Sequence, residues 1–272
     1  MKKLRTSWLV MIGIFDSTIG GISVARECMN LLPDWDLVFL ADTRYGHCGK
    51  QPDDFIMKRS LRAIDRLLSF GIRILVVACP AVSSMGMDVI KRRSMVPVFD
   101  IITPAVELAT EASKFNRIGI LGTRDIIERG FFQKKIEEET AGRAKIYTVA
   151  APLLVPLIQE GWINKPEARM ILKKYLHRLK IRQIDTLIVA STYCSVITHV
   201  ISRKMGKRVR IVDPAAEIAG RVKAFLKDHM KNGKRSGGKE SYRFLVSDPT
   251  DETVRTAEIL LKKKYPIEAV SV

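Results

Sequence analysis

The chain has 272 residues, with 46 Lys and Arg against 29 Asp and Glu, a net charge of +17, 47% hydrophobic residues and only 7% aromatic ones. That is length for one large or two modest domains with a well-filled core. Sparse aromatics argue against a stacking platform for single-stranded nucleic acid. The cations are scattered over Lys91-Arg92-Arg93, Arg203-Lys204, Lys207-Arg208, Lys234-Arg235 and Lys262-Lys263-Lys264, so a solvated basic surface is expected and nucleic acid is not an expected partner.

The chain opens MKKLRTSWLVMIGIF, lysines and then an apolar run, but the run passes into FDSTIGG without a small-residue cleavage site. It reads as a first strand over residues 8–15 rather than a leader. No apolar span reaches the ~20 residues of a membrane helix, and a cytoplasmic location with no membrane partner is the expectation. Further strands are predicted over 37–41, 74–78, 96–101, 117–121, 145–150, 186–190, 210–213 and 242–247. They are rich in Val, Ile and Leu with little alternation, as strands buried on both faces should be. Helices are predicted between them, over Pro52–Ser69, Pro104–Lys114, Asp125–Glu139, Pro166–Leu179 and Pro214–Lys227. This alternation predicts an α/β fold with mainly parallel sheets. The stretch KNGKRSGGKE (231–240) reads as a polar loop leading a last strand and helix back across the first half.

The chain also echoes itself. IGIFDST begins at Ile12 and IGILGTR at Ile118, 106 residues on; LVVAC begins at Leu75 and LIVAS at Leu187, 112 residues on. Two landmarks at similar offsets predict two pseudo-related three-layer α/β domains, residues 1–100 plus 212–272 and residues 101–211, with a ligand cleft between them. Ligands of parallel α/β sheets sit at the carboxyl ends of strands. That brings Asp16-Ser17, Cys79, Thr123 and Ser191-Thr192 forward as four strand ends lining one cleft.

Cys79 ends a strand, and Pro80 suits the first position of the helix that follows. A thiol at a helix N-terminus is shifted toward thiolate by the helix dipole, although cysteine is also among the most buried residue types and often only packs. Asp16-Ser17 precedes Gly20-Gly21 in a turn that lacks the lysine of a phosphate loop, and the plainer reading of Asp16 is a cap on the next helix. Asp42 follows another apolar run, in ADTRYGHCGKQPDD, a polar loop. The four cysteines, Cys28, Cys48, Cys79 and Cys194, form no CxxC pair, so neither a zinc site nor a disulfide framework is expected.

Taken together these segments resemble the glutamate racemases of the aspartate/glutamate racemase superfamily, over nearly the whole chain. FDSTIGGISVARE resembles the family's FDSG-x-GG-L-SV. LVVACPAVSS matches LVIACNTAS. RIGILGTRDIIERGFF resembles IGV-x-AT-x-ATI-x-S-x-x-Y, APLLVPLIQEGW resembles CPLLVPLVEEGW, and DTLIVASTYCSVI matches DTL-x-LGCTHYPLL. The terminal YRFLVSDPTDETVRTAEILLKKKYPIEAVSV resembles the last strand and helix of glutamate racemases.

The resemblance implies a racemase without cofactor or metal. Two cysteines on opposite sides of the substrate α-carbon exchange its proton, one from each pseudo-related half, and the D-glutamate formed serves peptidoglycan. It implies catalytic roles for Cys79, Asp16 and, at the second catalytic position, Ser191, and contact of Asp16, Ser17, Cys48, Gly49, Pro80, Ala81, Thr192 and Tyr193 with a small amino-acid or dicarboxylate substrate. A homodimer is implied in the same way.

This chain departs from the pattern at specific places. Ser191 stands at the second cysteine, Tyr193 at its neighbouring histidine and Gln159 at the supporting glutamate. Pro80-Ala81 replace Asn-Thr, and His47-Cys48-Gly49 replace Pro-Tyr-Gly. A serine hydroxyl is a far weaker acid than a thiol, whose free pKa is about 8.5, so Ser191 is not a matched partner for Cys79. Cys194, three residues on, is a candidate substitute. Three readings follow: a racemase, a homologue doing one-sided chemistry with Cys79 alone, and a non-catalytic binding descendant.

Overall fold

The computed structural model describes residues 11–46, 51–229 and 241–272. The start of the first predicted strand, Cys48 with Gly49, and the loop at 231–240 lie outside them.

The chain begins with β1 (Met11–Asp16), α1 (Ile22–Leu31), β2 (Asp36–Ala41), α2 (Asp53–Leu68), β3 (Ile74–Val77), α3 (Pro80–Arg93), β4 (Val98–Asp100) and α4 (Ile102–Ala112). It continues with β5 (Arg117–Gly122), α5 (Arg124–Arg129), α6 (Phe131–Thr140), β6 (Lys145–Ala150), α7 (Leu154–Gln159), α8 (Pro166–Lys180), β7 (Thr186–Ala190), α9 (Thr198–Met205), β8 (Arg210–Val212) and α10 (Pro214–His229). The last elements are β9 (Tyr242–Val246), α11 (Asp251–Leu261) and β10 (Ile267–Ala269).

The strands form two sheets, ordered β10-β9-β2-β1-β3-β4 and β6-β5-β7-β8. Every pairing is parallel. The order 2-1-3-4 of the first sheet recurs as 6-5-7-8 in the second, so the repeat read from the sequence is a repeat of topology. It extends to packing. A Cβ added to Gly13 would meet Ile72 Cδ1 at 2.5 Å, and one added to Gly119 would meet Ile184 Cδ1 at 2.5 Å. Each half thus presses an isoleucine onto the bare backbone of its first strand.

The strands are continuous apolar runs because both faces are covered. Ile12, Ile14, Phe39, Val76 and Phe244 face a large cluster that continues through α1, α4 and α10 into the second sheet. Phe15, Val38, Leu40, Leu75 and Val77 face a second cluster under α2 and α3. Fully burying one such aliphatic side chain is worth about 1.5–3 kcal/mol.

One predicted helix is two. The run predicted over Asp125–Glu139 breaks at Gly130, whose φ of 69° is left-handed. That conformation favours glycine and ends a helix. The break leaves Arg129 as the last residue of the short α5.

Candidate functional site

The four strand ends singled out in the sequence meet. Asp16, Ser17 and Thr18 after β1, Cys79, Pro80 and Ala81 after β3, Thr123 after β5, and Ala190, Ser191, Thr192 and Tyr193 after β7 all line one cleft. Asp125, Ile126 and Arg129 of α5 complete its wall. The cleft holds about 570 Å³ of free space, part of it open to solvent.

Cys79 is the N-cap of α3 and Pro80 is the first helical residue. The proline fixes this geometry. It keeps Cys79 extended, and its missing N–H is one that a helix start leaves unpaired anyway. Ser83 Oγ donates to Val77 O at 3.1 Å and Ser83 N to Cys79 O at 2.9 Å, holding the strand-to-helix turn. Cys79 is buried, and its Sγ lies 3.0 Å from Ser17 Oγ. A hydroxyl and a helix N-terminus at one sulfur both favour its anionic form.

Asp16 does not cap a helix as the plainer reading expected. Its Oδ1 accepts from Thr18 N at 3.0 Å and Thr18 Oγ1 at 3.3 Å. Thr18 in turn caps the turn over Ile19–Gly21, accepting from Gly20 N at 3.2 Å. Asp16 Oδ2 is buried with no hydrogen-bond partner among the described residues. Burial, and next the negative charge of Cys79, hold the Asp16 carboxyl well above the ordinary aspartate range. The two acids therefore share a site that favours one negative charge over two.

Ser191 and Thr192 lie in the cleft on the other half, followed by the turn Thr192–Ile197. Tyr193 is buried at the back, its hydroxyl facing Thr18 and the backbone of Gly20. Burial, then the charge of Asp16, push its phenol up, so it stays protonated. The two glycines of the FDSTIGG turn serve this packing. A Cβ on Gly20 would lie 2.5 Å from the Tyr193 ring and 2.6 Å from Thr192 Oγ1, and one on Gly21 would lie 2.4 Å from Asp16 Oδ2. Gln159 Nε2 donates to Glu252 Oε1 at 3.1 Å, in a second cavity that Tyr193 also lines.

Two candidates do not join the cleft. Cys194 packs in the large apolar cluster, and burial pushes its thiol up to about 12. It is therefore no substitute for a second thiol in the cleft. Asp42 is a structural anchor. Its carboxylate is held by a two-pronged ion pair with Arg59 and accepts from Ser247 Oγ at 2.8 Å. Among the described residues no three His, Cys, Asp or Glu side chains gather as a metal site. None of the described helices is long and apolar enough to cross a membrane.

Sequence reasoning missed Asp125, Ile126 and Arg129. The glycine in ERGFF was the available signal, because it ends the helix at Arg129 and brings that residue to the cleft.

Comparison with known proteins agrees with this geometry. Residues 49–222 match the family model described as Asp/Glu/Hydantoin racemase. The chain is 32% identical to a glutamate racemase of Aquifex pyrophilus, over 94% of this chain and 96% of that protein. It is 35% identical to one of Persephonella marina, over 82% and 85%. The fold superposes on the crystal structure of a glutamate racemase isoform from Bacillus anthracis with a TM-score of 0.85, at 23% identity, over 97% of this chain and 98% of that one.

Proposed function

The chain belongs to the aspartate/glutamate racemase family, and on that premise we propose that it moves the α-proton of glutamate or a related small amino acid, with Cys79 as the working base. The observation that carries the reading is the Cys79 sulfur at the N-terminal end of α3, 3.0 Å from Ser17 Oγ, in a cleft shared with Asp16 and Ser191. The Cys79 thiolate takes the α-proton as a general base and leaves a carbanion at the α-carbon. Asp16, which favours its protonated form beside that thiolate, keeps a second negative charge out of the site.

Inversion requires a proton from the opposite face. That face is the Ser191-Thr192-Tyr193 side, where two hydroxyls and a phenol replace a thiol. None is a match for the thiol's acidity, so return from the Cys79 side is faster. Exchange of the α-proton thus outpaces inversion, and racemisation is slow relative to exchange. The D-isomer supplied to peptidoglycan, the homodimer and the cytoplasmic location belong to this reading through the family resemblance alone.

The test is incubation of the protein with L-glutamate in deuterated water, following α-deuteration by NMR and optical rotation together. Exchange ahead of inversion, with both lost in Cys79→Ala, supports the reading. Inversion keeping pace with exchange would show that the Ser191 side returns protons well. Silence toward glutamate and toward a panel of small amino acids leaves a binding role for the cleft.

A further inference from the structure

The geometry points to Arg129 as the carboxylate-binding residue of the cleft, selecting zwitterionic α-amino acids with Asp125 facing the ammonium group. This rests on the reading of the cleft as a site for a small amino acid, and it names the groups that recognise one.

Pro80 has no N–H and Ala81 no polar side chain, so the start of α3 offers neither a proline amide nor a side-chain donor to a carboxylate. Ser17 is engaged by Cys79. Arg129 is the one cationic side chain among the described residues that line the cleft. It stands one helical turn after Asp125 on α5, so the two project from one side of the helix toward the cleft. They carry the two charges that complement a zwitterion.

The Arg129 guanidinium is held but not consumed. Nη1 pairs with Asp53 at 2.5 Å and Nη2 donates to Gln51 O at 3.3 Å. A guanidinium has five donors in a planar fork, so these contacts leave others for a carboxylate. Asp53 lies in the first turn of α2, in the half that carries the six-stranded sheet, and its side chain is 63% exposed. An exposed partner of this kind contributes little and is readily exchanged for a ligand carboxylate. The contact also joins α5 of one half to α2 of the other, beside the cleft that Arg129 shares with Cys79.

The test compares alkylation of Cys79 by iodoacetate, an anion, and by iodoacetamide, its neutral counterpart, each followed by mass spectrometry of the Cys79 peptide. The ratio of the two rates is the readout, so a variant that merely loosens the cleft moves both reagents together. Arg129→Gln is expected to lower the iodoacetate-to-iodoacetamide ratio by about tenfold, the lower end of the range for local electrostatic focusing. Asp53→Asn and Asp125→Asn are expected to raise it, and Arg129→Lys to keep most of it. A ratio unchanged in Arg129→Gln overturns the assignment. This readout needs no turnover. A ratio that responds in a protein silent toward amino acids would sink the racemase reading and leave an anion-selective Cys79 cleft. Exchange of glutamate with an unresponsive ratio would do the reverse.

Discussion

Ser17 Oγ and Cys79 Sγ lie 3.0 Å apart although 62 residues of chain separate them. The contact joins the turn after β1 to the N-cap of α3, and beside a Cys79 thiolate the serine hydroxyl is the group that donates. A donor to the charged form of an acid favours that form. Removing it in Ser17→Ala should slow α-proton exchange by about tenfold or more, the scale of one hydrogen bond to a charged group at about 1.5–3 kcal/mol. It should also move the pH dependence of Cys79 alkylation to higher pH. A rate loss without that displacement would make Ser17 a packing residue.

Asp16 pairs the site's chemistry with a stability cost. Its carboxyl is raised by burial first and by Cys79 second, and Oδ2 has no hydrogen-bond partner among the described residues. The folded protein therefore holds the Asp16 proton more tightly than the unfolded chain, whose value is near 3.8. A raised pKa makes stability fall as pH rises, from about the unfolded value up through the folded one. Asparagine does not titrate. The Asp16→Asn variant should thus gain on the parent as pH rises above about 4, by about 1–3 kcal/mol at neutral pH, the scale for an unsatisfied buried polar group. Denaturant midpoints of both proteins between pH 4 and pH 8 check this, and a difference independent of pH counts against it. Exchange activity should fall in the same variant.

The sequence carried the architecture because its signals were local. Offsets of 106 and 112 marked β1 with β5 and β3 with β7, and the sheets repeat in that order. Cys79 before Pro80 was legible as a helix start for the same reason, since a proline states its own geometry. The rest depended on contacts between distant segments. Nothing around Asp42 announces Arg59 and Ser247, which are brought to it by α2 and β9. Arg129 was hidden inside a pattern that continues helically on both sides of Gly130, and only the left-handed glycine turns it toward the cleft. Gly20 and Gly21 were legible only as turn glycines, whereas it is the Tyr193 ring and the Asp16 carboxyl that leave no room for a side chain there.

Ser191 is the residue on which inversion should turn. It lines the cleft on the half opposite Cys79, at the end of β7. Ser191→Cys gives that face a thiol of ordinary pKa about 8.5. The ratio of inversion to α-proton exchange should rise by at least about tenfold, short of the 10²–10⁴ of a fully matched acid–base group, because Tyr193 remains beside it. Exchange itself should change little, since Cys79 still takes the first proton. An unchanged ratio would mean that Ser191 does not reach the α-carbon. The double variant Ser191→Cys/Cys79→Ala should exchange the opposite enantiomer in preference.

The paired glycines test whether the two halves are built to one plan. Gly119 lies on β5 with Ile184 Cδ1 where its Cβ would be, as Gly13 lies on β1 against Ile72. Both backbones are extended strands, so alanine is not opposed by conformation, and the cost is overpacking alone. Gly119→Ala should destabilise the protein by about 1–3 kcal/mol, the usual range for a forced methyl group in a packed core. Because the offending atom is the isoleucine's Cδ1, Ile184→Val removes it. The double variant Gly119→Ala/Ile184→Val should then lose less than the sum of the two single changes, a coupling of order 1 kcal/mol. The same cycle at Gly13 and Ile72 should give a coupling of the same sign. Urea midpoints of the parent and the six variants decide it: additive changes in either half would mean that the close approach relaxes elsewhere and that the isoleucine is not what excludes a side chain from the strand.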